Sequence, residues 1–207
     1  MPDEFQDLIQ GIEDQFAIQR YIMENKREEA IRFISKFGKL IRRVLDQAAK
    51  NYQTIEEEID TLELYLKLEQ HRTRNKFSYE FQVDESVDIY NTQIPTNLLQ
   101  PFIENAIWHG IMPKEEDNGL IIIHFSTKAD NLLCKIEDNG IGREKAAELK
   151  KVSKLRHQSK GMRIIEERIE ALNFLDQRQI QFNIIDLIDQ DKQPLGTRVE
   201  LWFEMGD

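Results

Sequence analysis

The apolar residues of this chain change period near residue 76, and that switch calls for two kinds of structure in one molecule. Before it they recur at helical spacing: Ile18, Tyr21 and Ile22, then Ile31, Ile34, Phe37, Ile41, Val44 and Leu45, then Ile59, Leu62, Tyr65, Leu66 and Leu68. Pro2 is the sole proline of this stretch, and Gly11 and Gly38 are its sole glycines, so little interrupts a helix. The spacing predicts helices near 5–24, 27–49 and 54–72, joined at "ENKRE" and "KNYQT", with Thr54 and Glu57 as a capping-box pair. Three amphipathic helices without a sheet cannot bury all their apolar faces alone. They predict a dimerisation bundle.

Beyond the switch, "FSYEFQV" alternates apolar and polar residues, the period of a strand. A helix is expected at 95–110, then strands in "LIIIHFST" and "NLLCKIED" and a glycine-bearing turn. Helices in "EKAAELKKV" and "GMRIIEERIEALNF" and strands in "QIQFNIIDLI" and "GTRVELWFE" follow. The strands come as hairpin-like pairs and not as a strict βαβ repeat. The fold class is therefore α+β: a helical region over 1–74 and an α/β sandwich over 75–207, with the boundary between Arg72 and Lys76.

Composition removes several function classes. Hydrophobic residues are 40% and charged residues 32% of 207, a globular balance. A net charge of -10 repels phosphate backbones and anionic lipid surfaces, so neither nucleic acid nor a membrane surface is an expected partner. Cys134 is the only cysteine, which excludes an internal disulfide and predicts a small core residue on a strand. The four histidines, His71, His109, His124 and His157, lack metal-ligand spacing. No apolar run approaches the length of a membrane span, and the acidic "MPDEFQDLIQ" is unlike a signal peptide. A soluble cytoplasmic chain is expected, or the cytosolic part of a membrane-bound sensor.

Three short stretches interrupt this plain pattern. "ENAIWHG" puts Glu104, Asn105, Trp108 and His109 on the last two turns of an otherwise apolar helix. "EDNGIGR" follows an apolar strand, and in "SKGMRIIEER" a glycine opens a helix. Each alone is an ordinary helix end, turn or boundary. Their order resembles the N, G1 and G2 boxes of the GHKL ATPase superfamily. The chemistry suits that resemblance. A strand-end aspartate can accept the amino proton of adenine while flanking glycines let the ring approach the backbone. An asparagine carbonyl is an oxygen ligand for Mg²⁺, and a glycine at a helix start leaves N–H groups facing phosphates.

The likeness narrows further. "IPTNLLQPFIENAIWHGI", "DNGIGREKA", "SKGMRIIEERIEALN" and terminal "GTRVELWF" resemble the LytS/YehU-type sensor histidine kinases. "FISKFGKLIRRVLDQA" and "TIEEEIDTLELYLKLEQHR" are similar to the helical phosphoacceptor region of that family. The resemblance implies a Bergerat-type ATP-binding sandwich, ATP and Mg²⁺ as ligands, a homodimer, and a response regulator or partner sensor protein as partner. It implies that Asn105 holds Mg²⁺ and that Asp138 reads adenine. Gly140, Gly142, Lys160, Gly161 and Thr197 would form the nucleotide loops, Glu104 and His109 would line the phosphate side as catalytic groups, and a mobile lid would run from Arg143 to Lys160.

Two departures stand out. The third box is Ser159-Lys160-Gly161, with one glycine where many relatives have two. The family's Asn-Pro-His-Phe, whose histidine accepts the phosphoryl group, aligns with Asp7, Leu8, Ile9 and Gln10. Ile9 has no nucleophilic nitrogen. His71, the sole histidine of the first hundred residues, sits at a helix end where a basic residue is expected on dipole grounds alone. The function implied is the ATP-binding core of a two-component kinase; the alternative is a regulatory ATP-binding module without phosphotransfer. A serine-directed anti-sigma kinase of the same superfamily explains the missing histidine but not the N-terminal helices.

Overall fold

The computed structural model describes residues 27–48, 50–129, 131–152, 160–176 and 179–205. The helix expected over 5–24, and Ile9 with it, lies outside them.

Helix α1 spans Arg27–Ala48 and buries Ala30 and Phe33 against Leu68 of α2, which spans Ile55–Arg72. Its Ile31, Ile34, Ile41 and Leu45 stay exposed. Helix α2 starts as expected: Glu57 N–H donates to Thr54 Oγ1 at 3.2 Å, and Thr54 N–H donates to the Glu57 carboxylate at 3.1 Å. Ile55, Leu62, Tyr65 and Leu66 on its inner face belong to the same core as the sheet. The core is thus continuous across the turn at 72–76, where Arg74 and Asn75 adopt left-handed φ of 55° and 58°.

The strands are β1 (Tyr52–Thr54), β2 (Phe77–Val83), β3 (Gln93–Pro95), β4 (Gly119–Lys128), β5 (Asn131–Asp138), β6 (Ile180–Ile188) and β7 (Pro194–Glu204). Five of them form one mixed sheet in the order β2-β4-β5-β7-β6. The β4–β5 and β6–β7 hairpins match the expected pairs, whereas β2 joins β4 in parallel. Residues 121, 123 and 125 of β4 are fully buried, while 120, 122 and 124 of the same strand keep partial exposure. One sheet face therefore carries the core, which it shares with α2, with α3 (Gln100–Asn105) and with α5 (Lys160–Asp176). Helix α4 spans Arg143–Val152.

This is the expected α+β architecture, a helical part followed by an α/β sandwich, with two local corrections. First, the helix expected at 95–110 begins only at Gln100. Pro95 ends β3, Asn97 is left-handed at φ 54°, and Pro101 sits in the first turn, where its missing N–H costs nothing. From Ala106 to Ile111 the helix widens into a π turn, with Met112 N–H donating to the Ile107 carbonyl at 2.8 Å. Second, the "KNYQT" joint contains β1, which pairs antiparallel with β3. Three-residue strands are too short to show a period.

Candidate functional site

The end of β5, the π turn after α3 and the start of α5 converge on a cleft of about 360 Å³. Asn105 and His109 line one wall, Asp138 and Thr197 another, and Gly142 with Arg143 a third. Phe102, Ala146, Met162, Ile184 and Val199 make the cleft largely apolar.

Asp138 is the buried acid of the cleft, 5% exposed. It closes β5 opposite Thr197 of β7, and one carboxylate oxygen accepts the Gly140 N–H at 2.8 Å. Burial pushes its pKa up to about 6, against the lowering effect of the Gly140 and Thr197 backbone bonds. The two glycines of "DNGIG" answer separate needs. A Cβ on Gly140 would overlap the Gly110 backbone, and Gly142 has a left-handed φ of 77°. The Ile141 N–H also donates to the Gly110 carbonyl at 3.0 Å, so the glycine turn and the π turn are tied together.

Asn105 faces the cleft with its amide N–H directed at the Met162 sulfur, 3.5 Å away. The carbonyl oxygen is what Asn105 has left to offer a hard cation. Gly161 is the second residue of α5, one before Met162, and Lys160 is the first. No group of three or more His, Cys, Asp or Glu able to hold a metal occurs among the described residues.

The structure does not bring Glu104 into the cleft. Its carboxylate accepts from Gln100 Nε2 at 2.8 Å and feels the Arg72 charge on the α2 side, while burial pushes its pKa up. The reason is helical geometry: consecutive residues point about 100° apart, so Glu104 and Asn105 cannot both face one wall. His109 lines the cleft and is exposed. The first ten residues of the expected lid are helix α4, whose Arg143 makes a two-pronged ion pair with Asp186 at 2.7 and 2.6 Å. His157 lies outside the described residues. Cys134 is fully buried on β5, as expected of a core residue.

Residues 16–77 match the family model for histidine kinase, a match that begins after Ile9. The chain is 30% identical over 115 residues to the sensor protein LytS of Staphylococcus epidermidis, covering 56% of this chain and 19% of that protein. Over these stretches the chain is similar to the LytS-type sensor histidine kinases. It is also 25% identical over 118 residues to the sensor histidine kinase BtsS of Escherichia coli, covering 57% of this chain and 20% of that protein. Among solved structures, the histidine kinase AdeS of Acinetobacter baumannii superposes with a TM-score of 0.44 at 18% identity, over 88% of this chain and 82% of that one. The chain spans about a fifth of the length of the LytS and BtsS proteins it matches.

Several cleft residues escaped the reading of the motifs. Gly110 stands beside His109 in "ENAIWHG", where the motif gave it no role of its own. Met162 and Ala146 looked like ordinary helix residues, since nothing in a sequence period says which helix face meets a ligand.

Proposed function

We propose that this chain is the Mg²⁺·ATP-binding kinase core of a two-component sensor histidine kinase. One observation carries the reading: a buried carboxylate, Asp138, closes an apolar cleft whose opposite wall presents an asparagine amide. An apolar slot with one fixed acceptor suits a flat purine with an exocyclic amino group, and about 360 Å³ falls within the usual range for small-molecule sites. Asp138 accepts the adenine amino proton, with Gly140 and Thr197 backbone groups holding its carboxylate in place. Asn105 offers an amide oxygen to Mg²⁺, which neutralises the phosphates when bound. The donor set fits that ion, because Mg²⁺ takes few protein ligands and keeps waters and phosphate oxygens. His109 stands on the same wall and is placed to meet the phosphates. Lys160 and Gly161 open α5, where free N–H groups favour anions.

The reaction moves the γ-phosphoryl group from ATP to an imidazole nitrogen. The bond from phosphorus to the bridging oxygen breaks, a phosphorus–nitrogen bond forms, and ADP leaves. A response regulator is the onward acceptor. The exposed Ile31, Ile34, Ile41 and Leu45 of α1 support a homodimer through the helical region. No described helix is long and apolar enough to cross a membrane, which is compatible with a cytosolic kinase part.

Calorimetry with Mg²⁺·ATP tests the reading. The unaltered chain is expected to bind, and Asp138→Asn to bind more weakly by about 1.5–3 kcal/mol, the scale of a hydrogen bond to a charged group. Equal affinities for the two proteins would refute the assignment. Incubation with γ-labelled ATP should yield acid-labile label on a histidine-bearing protein.

A further inference from the structure

We propose that Arg72, at the end of α2, is a positioning residue that ties the helical region to the nucleotide cleft through Trp108. The inference rests on the cleft being the nucleotide site and adds a coupling element to it. The guanidinium of Arg72 lies 5.1 Å over the Trp108 ring and donates to Glu69 Oε1 at 2.6 Å. Both partners of that ion pair are buried, at 5% and 1% side-chain exposure, so solvent does not screen it. Trp108 also neighbours α2 at Tyr65, whose phenol its indole influences. Glu104, one residue before Asn105, turns to the same side and feels the Arg72 charge.

The far side of these contacts is the cleft wall. Trp108 lies in the π turn between Asn105 and Gly110, and Asn105, His109 and Gly110 all line the cleft. A π turn carries one extra residue per turn, and such turns occur mostly as single insertions at functional sites. Here the wider turn faces α2 with Trp108 and Glu104 and faces the cleft with Asn105 and His109. A displacement of the α2 end therefore moves the guanidinium under Trp108 and, through the turn, the Asn105 amide and the Gly110 backbone against Asp138. Coupling is reciprocal, so filling the cleft must also change the surroundings of Trp108.

That reciprocity supplies the test. Trp108 and Trp202 are the only tryptophans of the chain, so Trp202→Phe makes Trp108 the single emitter. In this background, Mg²⁺·ADP is expected to change the Trp108 emission along the same isotherm that calorimetry records. Arg72→Met should weaken ADP binding about fivefold or more, within the range of two-site couplings, and shrink the emission change per bound nucleotide. Arg72→Lys, which keeps the charge but not the fork, should fall between. Because Arg72→Met removes an ion-pair partner of the buried Glu69, Glu69→Gln/Arg72→Met serves as a second variant and should show the same weakened coupling in a folded protein. ADP binding by calorimetry with no change in Trp108 emission, or identical affinity and emission response in the variants and the parent, overturns the coupling while leaving the nucleotide site intact. No ADP binding by the unaltered chain refutes the nucleotide site itself, and the coupling falls with it.

Discussion

The Asp138 carboxylate and the Gly110 backbone share a space with no room for a side chain: a Cβ on Gly110 would lie 2.7 Å from Asp138 Oδ1. The π turn after α3 and the end of β5 thus act as two jaws closed on each other. Gly110→Ala must push the carboxylate from its place, and the β5–β7 ladder beneath it need not move. We expect at least a tenfold loss of nucleotide affinity, about 1.4 kcal/mol. Gly140→Ala meets the Gly110 backbone as well as Asp138 Oδ1, and backbone cannot yield, so it should also lower stability by about 1–3 kcal/mol. Calorimetric titration alongside thermal denaturation of both variants checks the contrast.

The burial of Asp138 gives nucleotide binding a pH dependence. With a pKa of about 6, its carboxyl is largely neutral below that pH and then cannot serve fully as an acceptor for an amino group. Adenine favours the ionised form, so affinity should rise with pH up to about 7 and fall by up to about tenfold per unit well below 6. The measurement is best made in a His109→Gln background, which removes the imidazole from the cleft wall. Asp138→Asn should bind weakly and without this slope. A slope that survives in Asp138→Asn would contradict the prediction.

Glu58 is a second buried acid, remote from the cleft. Its carboxylate accepts from Gln53 Nε2, and the Leu99 backbone and the Arg168 guanidinium favour its ionised form, yet burial dominates and pushes its pKa up to about 8. The unfolded chain ionises this group near its ordinary value of 4.5, so between about 4.5 and 8 the native state holds the extra proton. Stability therefore falls as pH rises through that window and is flat above it, by an amount on the order of a few kcal/mol. Glu58→Gln keeps the shape and cannot ionise. Chemical denaturation from pH 5 to 8 should show a shallower decline for the variant than for the parent chain.

How much of this was legible follows from what each signal measures. Period and caps placed α1, α2 and the strands of the main sheet, because burying one face forces a period and the Thr54–Glu57 pair satisfies N–H groups that any helix start leaves open. Asn105, Asp138 and Gly142, singled out by the resemblance of their stretches to the family's boxes, line one cleft. Glu104 was misplaced because a dipeptide motif ignores helix rotation. The role of Gly110 and the Arg72–Trp108 contact were invisible, since both depend on segments more than twenty-five residues apart in sequence approaching in space.

The last prediction concerns the phosphoryl acceptor. An acceptor must place an imidazole nitrogen in line with the γ-phosphorus, with neighbouring groups managing its proton. Ile9, at the aligned position, offers only methyl and methylene groups, Gln10 is a nearly non-nucleophilic amide, and Asp7 would give an acyl phosphate. No rotamer or pKa shift supplies the missing nitrogen, while the cleft residues Asn105, Asp138 and Gly142 are all in place. Labelling with γ-labelled ATP should therefore leave residues 5–15 unmodified even where ATP binds. His71 is a poor substitute: Lys36 Nζ stands 3.3 Å from its Nε2 and Phe33 packs edge-on against its ring, so an approaching phosphoryl group would have to displace both. Ile9→His with Leu8→Pro rebuilds the family's local pattern and should introduce acid-labile label at residue 9, mapped by mass spectrometry. Strong label within residues 5–15 of the unmodified chain would refute the prediction, and label at His71 would show that the Lys36 and Phe33 contacts open during turnover.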